Sequence, residues 1–155
     1  MTDRIDRGSR VIRATAGALY AAYLDPRALA AWRPPAGMSA EVELFEAYEG
    51  GRYRMSFIYP DAPDAPRGKS SETADTFEGR FVRLVPGRLI EEEVEFQSGD
   101  PAFAGLMTIT TSFTPVDGGT EVAVACSNVP PGISAEDHAS GIASSLENLA
   151  RWAEA

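Results

Sequence analysis

Glu92, His138 and Arg33 are the residues of this sequence whose types and settings could do chemistry. If Pro86 and Gly87 form a two-residue turn, residues 76–84 and 88–96 pair as a hairpin, and Phe81 faces Glu92 across it. Phe77 then faces Phe96, Gly79 faces Val94 and Arg83 faces Ile90, while Arg80 meets Glu93 on the opposite face. A carboxylate held on an apolar face can act as an acid or anchor the polar group of a ligand. A slip of register instead puts Glu92 in water beside Glu91, Glu93 and Glu95, and both placements stand open. Arg83, on the same face, is a candidate structural partner. His138 is the single histidine. It lies one turn into a terminal helix, near its apolar stripe, where it can serve as a general base or as a half-buried structural group. Arg33, next to Trp32, can meet an anionic ligand or stand solvated in a loop. Tyr53 could join Glu92 and His138 in acid–base work. No residue is assigned as catalytic beyond the candidates Glu92 and His138.

Other chemistries find no support. A lone histidine without a second at ligand spacing indicates no metal site. Cys126, the only cysteine, is predicted inward and small, a core residue rather than a nucleophile. No Gly-x-Ser-x-Gly, phosphate-cradling loop or dinucleotide fingerprint occurs, so no cofactor is expected. The formal net charge of −9 argues against nucleic acid and anionic membrane surfaces as partners. The charged N-terminus leads into no apolar run, and the most apolar stretch, Ala16 to Leu24, is too short to span a bilayer. With one cysteine and no signal segment, a cytoplasmic location is expected.

The elements that must position these residues follow from periodicity and punctuation. The 155 residues suit one domain over 1–155, long enough to bury a core. Ile5 to Arg13 reads as a strand. Thr15 caps a short helix over Ala16 to Leu24, and Asp25-Pro26 starts a second that ends at Trp32 before Arg33-Pro34-Pro35. From Ala40 to Ser127 the pattern is period-two, with turns at Gly50-Gly51, Pro86-Gly87 and Asp117-Gly118 and a long loop over Pro60 to Ala74. Val42, Leu44 and Tyr48 alternate on one strand. Met107, Ile109, Thr111 and Phe113 share a face with Val122, Val124 and Cys126. Ser134 caps the terminal helix, whose stripe includes Ile142, Leu146, Leu149 and Ala150. The class is α+β: about seven antiparallel strands, two short helices after the first strand, and one long helix at the end.

That order, with these residues, resembles the helix-grip fold of the START-like (SRPBCC) superfamily, also called Bet v-like. Within it the chain resembles the activator-of-heat-shock-chaperone-ATPase homologue-like (AHSA-type) family. The carrying pieces are Asp25 to Trp32 with Pro34-Pro35, Gly50 to Met55, Phe77 to Phe81 leading to Val85-Pro86-Gly87-Arg88-Leu89, Gly118 to Val122, and Gly141 to Trp152. The resemblance implies a curved sheet wrapped around the terminal helix with a hydrophobic cavity between them.

The residues expected to bind ligand there are Trp32, Arg33, Tyr53, Met55, Phe57, Phe77, Phe81, Glu92, Val94, Phe96, Met107, Ile109, His138, Ile142 and Leu146. Singly, each suits a core role; together they can line a pocket. The leading expectation is a cofactor-free protein that binds a small apolar or amphipathic molecule. Two alternatives stand beside it: an enzyme of polyketide-cyclase or hydratase type, and a stress- or chaperone-associated interaction protein. The eponymous co-chaperones carry a further chaperone-binding domain absent here, which argues against a co-chaperone role. No nucleic-acid or membrane-inserting partner is expected. A homodimer through sheet edges or the long loop is suggested by relatives.

Overall fold

The period-two runs become seven strands, and the helices begin where their caps stand. The structure, a computed structural model, describes residues 4–34, 37–59 and 74–154. In chain order the elements are β1 (Ile5–Ile12), α1 (Ala16–Leu24), α2 (Pro26–Trp32), β2 (Ser39–Phe45), β3 (Arg52–Ile58), β4 (Ala74–Val85), β5 (Leu89–Phe96), β6 (Met107–Val116), β7 (Gly119–Ser127) and α3 (Ala135–Glu154). A single 3-10 turn, Pro101–Phe103, stands between β5 and β6. The long loop expected over Pro60 to Ala74 lies outside the described residues, except Ala74, which begins β4.

The strands form one antiparallel sheet in the order β1-β7-β6-β5-β4-β3-β2. β1 and β2, consecutive in the chain, are therefore its two edges, and α1 and α2 carry the chain from one edge to the other. α3 packs on β1 and α2, and α2 packs on β2. The result is a helix-grip fold, with the concave face of the sheet turned to α3.

Local chemistry fixes the helix starts. Thr15 Oγ1 accepts from the Ala18 amide at 3.1 Å, Asp25 Oδ1 from Arg27 at 3.0 Å, and Ser134 Oγ from Asp137 at 3.0 Å. Glu136 and Asp137 complement the positive end of α3. The Trp32 indole donates to the Ala22 carbonyl at 3.1 Å and locks α2 onto α1. β1 meets α3 closely at Gly8, where an added Cβ would lie 2.6 Å from the Ile142 Cγ2.

Two strands depart from simple alternation. Phe77, Gly79 and Phe81 face Phe96, Val94 and Glu92 as the sequence implies, but the register then shifts, and Arg83 pairs with Glu91 rather than Ile90. Val85 consequently pairs with Leu89, and the turn has three residues, Pro86, Gly87 and Arg88. The bulge turns Arg83 out to solvent, so it is no partner for Glu92. β2 bulges between Val42 and Leu44. This leaves Leu44 exposed and brings Phe45 against Tyr53 and Phe81, while Tyr48, expected in the same strand, lies beyond its end at Phe45 and is exposed. The β6–β7 hairpin keeps the expected register, with Val116 opposite Gly119 and Thr111 opposite Val124.

Candidate functional site

Glu92 sits at the centre of β5, on the inward face, and is only 1 % exposed. The Tyr53 hydroxyl, from β3, donates to its Oε1 at 2.6 Å. Gly79 on β4 makes this contact possible, because a Cβ there would fall 2.1 Å from the Tyr53 ring. Burial first, and the Glu92 carboxylate second, push the Tyr53 phenol well above its usual range, so it stays protonated as a donor. The second partner is Arg33, at the C-terminal end of α2, whose Nη1 lies 3.4 Å from Glu92 Oε1. Glu92 Oε2 is buried and has no hydrogen-bond partner among the described residues.

Arg33 is thus no solvated loop arginine. Its side chain is 13 % exposed, and its guanidinium stands 6.0 Å from the centre of the Tyr23 ring. Its carbonyl accepts from Ser145 Oγ of α3 at 3.1 Å. Burial works against its charge, but the Glu92 carboxylate together with Tyr53 and Tyr23 more than offsets this and holds Arg33 protonated.

His138 projects from the first turns of α3. Its Nδ1 lies 2.6 Å from Asp6 Oδ2 of β1. Asp6 also accepts from Arg4 Nε and Nη2 at 2.9 and 2.7 Å, and Arg4 Nη2 donates to the Ile133 carbonyl at 2.8 Å. The Arg4 hydrogen bonds hold the Asp6 carboxyl below its usual range, against the opposing pull of burial. A carboxylate on Nδ1 fixes the imidazole ring and its tautomer, the arrangement of a positioned general base.

Between α3 and the concave face lies a cavity of about 560 Å³. Of the residues expected to line it, Trp32 and Arg33 stand on its wall from α2, and Phe57 and Phe77 from β3 and β4. Val94, Phe96, Met107 and Ile109 line it from β5 and β6, and His138, Ile142 and Leu146 from α3. Tyr53, Met55, Phe81 and Glu92 do not line it. Tyr53 and Phe81 fill the core with Phe45, their ring centres 5.2 to 6.1 Å apart, and Met55 is fully buried. Glu92 lies behind Arg33 rather than in the wall.

Sequence reasoning missed several wall residues. Tyr23, Thr111, Val124 and Cys126 belong to faces it had already turned inward, and only the step from core to wall was lacking. Tyr59, whose hydroxyl donates to Asp75 at 2.8 Å, continues the period-two alternation of Tyr53, Met55 and Phe57, so here too the face was readable and its place in the wall was not. Phe103 reaches the wall from the 3-10 turn, which Asp100-Pro101 signals as cap and first position. Ser134, Asp137, Gly141 and Ser145 share one face of α3 with His138, at steps of three and four residues. Among the described residues no group of three His, Cys, Asp or Glu side chains gathers as a metal set. Among the described residues no helix is long and apolar enough to cross a membrane.

A protein-family profile described as "Activator of Hsp90 ATPase homolog 1-like protein" matches residues 13–154. Protein CV1439 from Chromobacterium violaceum superposes with a TM-score of 0.83 at 31 % identity, covering 98 % of this chain and 99 % of that one. An AHSA1-like protein from Aeromonas hydrophila gives 0.73 at 17 % identity, over 97 % and 92 %. DynU16, a protein of the dynemicin biosynthetic locus, gives 0.67 at 17 % identity and covers 99 % of this chain but 48 % of its own. The last two likenesses concern the fold alone. No curated protein matches the sequence.

Proposed function

The chain belongs to the Activator of Hsp90 ATPase homolog 1-like family, and on that premise we propose that it binds one small apolar or amphipathic molecule between α3 and the sheet. The observation that carries this reading is the cavity of about 560 Å³, a size suited to a drug-sized molecule. Its wall is built of Trp32, Phe57, Phe77, Phe96, Phe103 and aliphatic side chains, with a few polar groups converging among them. A core meant only for stability would be closed at such a place, because unfilled space forfeits packing.

Gly141 supplies the test. It lies on the cavity-facing side of α3, between His138 and Ser145, and an added Cβ meets nothing within 4 Å. Gly141→Phe therefore puts a ring into the cavity without a backbone clash. The wild-type protein should take up an uncharged fluorescent probe, phenylnaphthylamine, saturably and one to one, and Gly141→Phe should abolish uptake while staying folded. Equal uptake by both would place the probe elsewhere and overturn the reading.

A second reading, a cofactor-independent cyclase- or hydratase-like enzyme, draws on one observation: the His138–Asp6 pair on the cavity wall. There His138 would take a proton from a bound carbonyl compound while Asp6 holds the ring. Glu92 has no part in that step, since it stands behind Arg33. The presence of DynU16 in a biosynthetic locus accords with this reading. Once a turned-over compound is found, His138→Gln should lower kcat more than it raises KM; unchanged kcat would exclude the role.

A further inference from the structure

The Arg33–Glu92 pair is built unlike a purely structural ion pair. A guanidinium dedicated to a carboxylate binds it as a fork, with two short contacts on two oxygens. Here the pair has one long contact, 3.4 Å from Arg33 Nη1 to Glu92 Oε1. That oxygen is already held at 2.6 Å by the Tyr53 hydroxyl, and Oε2 has no partner among the described residues. Tyr53, not Arg33, is the close partner of Glu92. Arg33 meanwhile forms part of the cavity wall, which Glu92 does not reach. Its position is fixed from outside the pair by the Ser145 bond to its carbonyl and by the Tyr23 ring beside it. A buried, oriented cation therefore faces a mostly apolar cavity, with its counter-charge set behind it at a loose distance.

Such an arrangement keeps the guanidinium charged while the cavity is empty and leaves it able to engage an incoming acceptor. Bidentate acceptors such as carboxylate and sulfonate match its planar donors. We propose that the cavity selects amphipathic molecules bearing an anionic group, and that this group docks on Arg33 while Glu92 tunes the attraction from behind. The apolar body lies along the aromatic wall. Ser145 and His138 are seven residues apart on α3, about 10 Å along its axis, so an anion at Arg33 leaves room for the body to extend toward His138. This inference rests on the cavity reading above and goes beyond it by naming the ligand's charge and the residue that meets it.

The test compares two probes with the same aromatic body, anilinonaphthalene sulfonate and uncharged phenylnaphthylamine, titrated into the intact chain. The wild-type protein should prefer the sulfonate by about tenfold or more, the worth of one charge-assisted hydrogen bond in a buried site. Arg33→Gln alone strands the Glu92 charge and could unfold the chain, so the decisive variant is the uncharged pair Arg33→Gln with Glu92→Gln. It should lose the preference, the ratio of the two affinities falling to about one while phenylnaphthylamine still binds saturably. Glu92→Gln alone, whose amide oxygen can still accept from Tyr53, should raise sulfonate affinity several-fold. Equal affinity of the wild-type protein for both probes overturns the inference and leaves the cavity reading intact. A preference that survives in the double variant assigns the anion to another group, such as His138, and also overturns it. If neither probe binds saturably, the cavity reading itself fails.

Discussion

At the scale of single residues, the site is a set of charges held by neighbours from distant parts of the chain. Asp6 is the clearest case. Its folded carboxyl sits below the usual range, chiefly through the Arg4 hydrogen bonds, so the native state binds fewer protons there than the unfolded chain. The stability this contributes is complete above the unfolded value, about 4, and is lost as pH falls through the folded value. Asp6→Asn should lower the unfolding free energy measured in urea at neutral pH by about 1–3 kcal/mol, and flatten the acid limb of the stability curve. An acid limb unchanged in the variant would contradict the assignment. Cys126 gives an independent check, because burial pushes its thiol up to about 12. It should label slowly with a thiol reagent at pH 8 in the native protein and rapidly in urea; fast native labelling would show the wall to be open there. The inward placement of Glu92 was only half legible: the Phe81 register offered it, a slip into water stood equally open, and the register holds at Phe81 because a bulge beyond it offsets the longer turn. Its partners were not legible at all. Arg33 is 59 positions away and Tyr53 is 39, and no local pattern encodes where a chain folds back to.

At the scale of elements, the distances between α3 and the sheet decide whether there is a cavity, and two glycines mark the two ends of that relation. At Gly8 the strand touches the helix, and an added Cβ would meet the branched Ile142 side chain at 2.6 Å. Gly8→Ala should therefore cost about 1–3 kcal/mol. At Gly141 the same atom meets open space, so Gly141→Ala should stabilise by about 0.5–1 kcal/mol, the helix-propensity gain of losing a glycine. Urea unfolding of both variants checks the contrast; two losses of similar size would mean that α3 packs as tightly at Gly141 as at Gly8. Helix starts and the last hairpin's register were readable because caps and turn residues are local signals: Thr15, Asp25, Ser134 and Asp117-Gly118 all act as read. The bulges were not readable. A bulge reverses the inside–outside order of every residue beyond it, which is why Leu44 and Arg83 face solvent against a plain period-two reading.

At the scale of the whole molecule, the order of elements carried the fold further than any single motif. One strand, two short helices, six more strands and a long helix leave few ways to cover an antiparallel sheet, and wrapping it round the terminal helix is the one observed. The same order does not say whether the space inside is filled. Tyr53, Phe81 and Phe45 close one part of it, while Phe57, Phe77 and Phe96, on the same inward face, border open volume. The difference is one of neighbours across layers: Tyr53, Phe81 and Phe45 meet one another, while the others border the cavity, and no single strand encodes that.

The central claim is that this space holds a small molecule, and native mass spectrometry of the freshly purified chain, beside Gly141→Phe prepared in the same way, tests it most directly. The account predicts a reproducible extra mass on the wild-type protein that leaves on denaturation and is absent from Gly141→Phe, with solvent extraction returning an amphipathic anion. Bare wild-type protein that also fails to bind either probe, or an adduct carried equally by Gly141→Phe, would contradict it.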